Sequence, residues 1–164
     1  MVAFQYAMPA GIPGTVNRVH DATVVAEILN PTTPPTQYGT AVVMDAATGT
    51  IRVPIAADTV FDGLYSRPYP TQSSQDPLGT STPPTYVQQP IGNVLRRGFM
   101  SVLLRGATAA AKGAPVYVWT AAAAGGQIPG GITAVSGASS AVMPGAFFRG
   151  PADPGGFTEV EYNL

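Results

Sequence analysis

One histidine, His20, stands directly before Asp21, and this pair is the only candidate in the chain for a His-Asp dyad. A dyad needs both groups aimed at one reacting atom, whereas neighbours on a strand point to opposite faces. No G-x-S-x-G turn supplies a nucleophile, so His20 reads as a structural strand or turn residue. The acids Asp21, Asp45, Asp58, Asp62, Asp76 and Asp153 are scattered. Asp58 and Asp62 are the closest pair, but no D-x-D or EF-hand spacing accompanies them. With no cysteine and one histidine, thiolate nucleophiles, disulfides and most zinc sites are excluded. "GGQIPGG" lacks the Lys-Ser/Thr of a phosphate loop and is followed by no helical pattern. A glycosidase on this chain would have to draw two carboxylates from nine acids, none of which the sequence marks. The chain is expected to have no catalytic residue, no cofactor and no metal.

Charge narrows the partners. Eight basic and nine acidic residues give a net charge of −1, and charged residues are 10% of the chain, against about 25% in an average globular protein. The "RRG" at Arg96 to Gly98 is too small for a polyanion surface, so nucleic acid is not an expected partner. Lys112, the only lysine, falls in a turn and reads as solvated. No apolar run approaches the roughly 18 residues that span a bilayer, and "MVAFQYAMPAGIPG" lacks the basic and long apolar regions of a secretory signal. Weak charge favours self-association or docking onto a larger body.

The elements that must carry these residues are strands. Nineteen glycines and seventeen prolines punctuate 164 residues, and the longest stretch free of both runs from Thr15 to Asn30. Long helices are nearly excluded. "TVNRVHDATVVAEIL" is read as one or two strands, although it is the one place where a helix would fit. "YGTAVVMDAATGTIRVPIA" is the clearest hairpin, turning at Asp45 to Gly49. Ile51, Val53 and Ile55 are expected on one face of its second strand, with Arg52 and Pro54 on the other. "DTVFDGLYSR" is another strand. "NVLRRGFMSVLLR" has apolar side chains on both faces and is expected to be central or covered twice. "PVYVWTA" follows, with Trp119 read as core, then one short strand within Ala121 to Ser140, then "AVMPGAFFRG" broken at Pro144-Gly145. "FTEVEYNL" alternates cleanly and closes a sheet. The predicted fold is all-β: eight or nine short strands in a β-sandwich of jelly-roll type or a small β-barrel. Residues 1–14 read as an extended N-terminal arm, and residues 15–164 as a single β-domain with a long loop at 68–90.

In order along the chain, "TQYGTAVVMDAATGTIRVP", "DGLYSRPYPTQSS", "NVLRRGFMSVLLRGATAAAKGAPVYVW" and "MPGAFFRGPADPGGFTEVEYNL" resemble the capsid cement, or decoration, proteins of tailed double-stranded DNA bacteriophages. The resemblance covers roughly Gly11 to Leu164. It implies a non-enzymatic virion protein on the outer capsid surface, made in the host cytoplasm, that binds the major capsid protein and bridges neighbouring subunits as a homodimer or homotrimer. It supplies no site residues. The sequence's own candidates for partner contact are Phe4, Tyr6, Arg67, Tyr69, Tyr86, Arg96 and Arg97. The competing expectation is a carbohydrate- or receptor-binding β-sandwich module of a virion, with Tyr117 and Trp119 as its aromatic platform. A hydrolase on a β-scaffold ranks last.

Overall fold

A computed structural model of the protein describes residues 11–68 and 91–164. Among these residues nine strands run in chain order: β1 (Thr23–Ile28), β2 (Ala41–Asp45), β3 (Thr50–Arg52), β4 (Gly63–Ser66), β5 (Ile91–Arg105), β6 (Pro115–Trp119), β7 (Ile132–Thr133), β8 (Ser140–Phe148) and β9 (Phe157–Tyr162). The only helical element among the described residues is a 3-10 turn at Val19–Asp21. The region where a helix would fit is therefore this turn followed by β1.

The spine is β5, whose 15 residues extend about 50 Å at the usual rise per residue. Its first half pairs antiparallel with β1 and β4, so that Leu95 faces both Val24 and Leu64. Its second half pairs antiparallel with β9, where Met100 faces Val160. On its other edge Met100 bridges to Val16. Ser101 donates to the Thr15 carbonyl and accepts from Gly14, at 3.0 and 2.8 Å. Both edges are in use, and side chains from both faces are buried, Phe99 and Ser101 on one and Met100, Val102 and Leu104 on the other, which is why the strand is apolar on both faces in sequence.

Two rings share the spine. The order β5-β7-β6-β8-β9 returns to β5, closing a five-stranded barrel with one parallel pair, Leu104 beside Ile132. Of the two architectures that the sequence allows, the closed barrel is the one present. Its interior takes Met100, Val102, Leu104, Val116, Val118, Ile132, Met143, Ala146, Phe148, Val160 and Tyr162. A smaller sheet, β3-β2-β4-β5-β1, comes back on itself where Leu29 bridges Ile51 and Asn30 N–H reaches the Ile51 carbonyl at 2.7 Å. It buries Leu29, Tyr38, Val42, Ile51, Tyr65 and Val94, with Tyr38 stacked on Tyr65 at 5.1 Å.

Local chemistry sets the bends. The hairpin turn forms as expected: Asp45 accepts from the Ala47 N–H and the Thr48 hydroxyl, each at 3.0 Å, and Gly49 has φ +65°. Beyond Arg52 the expected alternation fails, because Pro54 is buried and Ile55 is exposed. Pro54 has no N–H for the ladder, and the chain turns instead, Ile55 N–H donating to Asp58 Oδ2 at 2.7 Å. In β8 the inward residues are Met143, then Ala146 and Phe148. Pro144 and Gly145 form a bulge there. It resets the register between Tyr117↔Val142 and Pro115↔Phe147 and keeps the apolar residues inside. At Gly98 (φ +129°) a Cβ would lie 3.0 Å from Ala22 Cα. Here the chain crosses β5 from Val16, on one edge, to Thr23, on the other.

Candidate functional site

The acids are largely committed to arginines. Arg52 holds Asp58 with two bonds, 2.7 and 2.9 Å. Burial works against the Asp58 charge, but the Arg52 bonds and the Ile55 N–H outweigh it and hold the carboxyl below its usual range. Arg96 bridges two strands' worth of acids: Glu27 of β1 at 2.6 Å, and Asp62 just before β4. Asp62 still rises above the usual carboxylate range, through burial first and then the nearby Glu27 charge, with Arg96 opposing. Arg18 pairs with Glu159 at 3.1 Å and lies over the Phe99 ring. Arg149 pairs with Glu161 at 3.0 Å.

A shallow groove of about 590 Å³ runs between the β2–β3 turn and the chain leading into β4, lined by Asp45, Arg52, Asp58, Val60 and Asp62 among others. Its three carboxylates are each tied up as described, although Asp62 Oδ2 is buried without a partner. Among the described residues no three His, Asp or Glu side chains gather as a metal site. His20 and Asp21 are both exposed in the 3-10 turn.

What the described surface does offer is apolar area. Every residue of β1 except Glu27 is exposed. Val24, Val25 and Ile28 are 37–45% accessible, Val19 is 73% and Ile91, beside Ile28, is 67%. Glu27 is the only charged residue of the strand, and Arg96 neutralises it. Among the described strands β1 pairs along its length with β5 alone. An apolar strand with an open edge is what strand addition requires. A second apolar area lies on the outside of the barrel, where Val142 (48%) and Phe147 (43%) neighbour Tyr117 and Pro115. Trp119, expected in the core, is instead half-buried on this side of β6, its indole N–H given to the Ala122 carbonyl at 3.0 Å.

Three of the residues singled out from sequence, Arg67, Arg96 and Arg97, fall among the described residues. Arg97 is exposed. Arg67 is buried, its guanidinium 4.7 Å from the Tyr38 ring centre. Arg96 is the bridge described above. Phe4, Tyr6, Tyr69 and Tyr86 lie outside the described residues, as do most of the arm and of the 68–90 segment. The exposed β1 edge was missed. Its signal was there, in a β-branched run with a single charge, but sequence cannot say which strand, among the described ones, pairs on one side alone.

Together these features describe an all-β scaffold whose open chemistry is apolar surface. Comparison with known proteins gives that scaffold a setting. Residues 1–162 match the model of the XM1 gp53 minor capsid protein family, and the chain belongs to that family. A chain in the solved capsid of Myoviridae phage XM1 shares the fold, with a TM-score of 0.69 over 99% of this chain and 98% of that one at 24% identity. No curated protein matches the sequence. The protein is a structural component associated with a bacteriophage capsid.

Proposed function

We propose that the protein is a decoration protein: it sits on the outer surface of the shell, binds the major capsid protein and bridges neighbouring subunits, without catalysis. The observation that carries this reading is β1, an exposed apolar strand whose one charge is neutralised internally. A six-residue edge is far smaller than the roughly 1,200–2,000 Å² of a stable interface. Such a contact is useful where several act at once, because a copy touching two or three shell subunits gains by effective concentration. Binding only to the assembled shell then stabilises it by linkage. Self-association as a dimer or trimer adds further valence. Arg97 and the aromatics Phe4, Tyr6, Tyr69 and Tyr86 are the contact candidates left for the shell. Arg67 and Arg96 serve by holding the scaffold that presents them.

The test is co-sedimentation of purified protein with mature shells of the same virus that lack it. Saturable binding and a higher shell melting temperature are expected. Failure to bind at micromolar protein would refute the proposal.

A further inference from the structure

Arg105 closes β5, and among the described residues no carboxylate answers its charge. It is half-buried. Its Nη1 donates to the Gly126 carbonyl at 3.2 Å and its Nη2 to Gln37 Oε1. Both acceptors are neutral. Arg18, Arg52, Arg96 and Arg149 each meet a carboxylate, while Arg97 and Lys112 are exposed to water. Arg105 has neither compensation in full among the described residues, and burial pushes its pKa down.

The seat is shaped to hold this side chain in place. A Cβ on Gly131 would come within 2.8 Å of Arg105 Cδ and 2.9 Å of the Ile128 carbonyl oxygen, so the stem passes close over a residue without a side chain. In the same corner Gln127, under Gly106, gives its amide to Thr133 at 3.3 Å and leaves a buried Oε1 without a donor. A guanidinium has five N–H donors in a planar fork, and two are used. A charge partly removed from water with no counter-charge costs stability. A partner that supplies the missing anion offsets that cost in the assembled state.

We propose that Arg105 is a docking residue that receives an aspartate or glutamate side chain from the protein on which this one sits, completing the fork in a charge-assisted pair. A carboxylate suits it better than a nucleic-acid phosphate. Polyanion binding requires several cations together, and this chain has eight in 164 residues and a net charge of −1.

The inference rests on the shell-binding reading, and the experiment separates the two. Wild type, Arg105→Gln and Arg105→Met are measured for binding to shells lacking the protein, for melting, and for binding to a short DNA duplex. If wild type does not bind shells, both readings fail. If wild type binds, the Gln and Met variants are expected to bind at least about 30-fold more weakly, with less salt dependence. Both are expected to melt at or above the wild-type temperature, because a lone charge has been removed. Unchanged shell affinity in either variant overturns the inference while leaving shell binding intact. So does weaker binding that merely follows a fall in melting temperature in both variants. Duplex binding by wild type that is lost in the variants would make the partner a phosphate and overturn it as well.

Discussion

Gly98→Ala tests whether β5 can serve two rings only because the chain crosses it at a residue without a side chain. At φ +129° a non-glycine residue bears about 1–3 kcal/mol of backbone strain. The added methyl would also meet Ala22 Cα at 3.0 Å and Cβ at 3.1 Å. Relief requires the crossing segment to move by a few tenths of an ångström, at about 1 kcal/mol or more for overpacking. Against this, alanine reduces the freedom of the unfolded chain by about 0.4–1 kcal/mol. The net loss is about 2–3 kcal/mol, or a melting temperature lower by about 4–12 °C for a chain of this size. Gly113→Ala is the control: it has φ +80° and nothing within 4 Å of the new methyl, so it carries the strain without the contact. Calorimetry of both variants separates the two contributions. A Gly98→Ala protein that melts with wild type, or no lower than Gly113→Ala, would refute the crossing argument.

Phe148, fully buried in the barrel, should cost about 3–5 kcal/mol as Phe148→Ala, read from urea midpoints at unchanged slope. Asp58 is held below its ordinary value of 3.8. Its stabilising contribution is therefore present above that value and lost as pH falls through the lower folded one, and Asp58→Asn should flatten that acid limb in urea titrations against pH. Asp62 has the opposite sign. Its folded pKa is raised above 3.8, so stability falls as pH rises from 3.8 through the folded value. Asp62→Asn, which resembles the protonated form, should remove that decline.

The parts of the fold written as local patterns were legible. The Asp45–Gly49 turn, the alternation of Val116 and Val118 with Tyr117 and Trp119 and of Val160 and Tyr162 with Glu159 and Glu161, and the doubly apolar β5 all follow from side-chain periodicity and turn chemistry. What periodicity cannot express is where strands meet. The two-residue β7 and its parallel contact with β5 leave almost no trace in sequence, yet they close the barrel. Pro144-Gly145 reads as a break but acts as a register reset inside one strand. Arg96 reads as a surface charge beside Arg97, and only the fold brings Glu27 and Asp62 to it across 69 and 34 positions. The exposed edge of β1 is likewise a property of neighbours, not of its own residues. Arg105 differs from Arg18, Arg52, Arg96 and Arg149 by meeting neutral acceptors where they meet a carboxylate, which no motif records.

A difference map from cryo-electron microscopy of the virus particle, with and without this protein, tests the central claim most directly. The account predicts density on the outside of the shell, in contact with at least two major capsid subunits, with β1 or the Arg105 corner at the contact. Density inside the shell, or on a single subunit with both of these surfaces facing solvent, would contradict it.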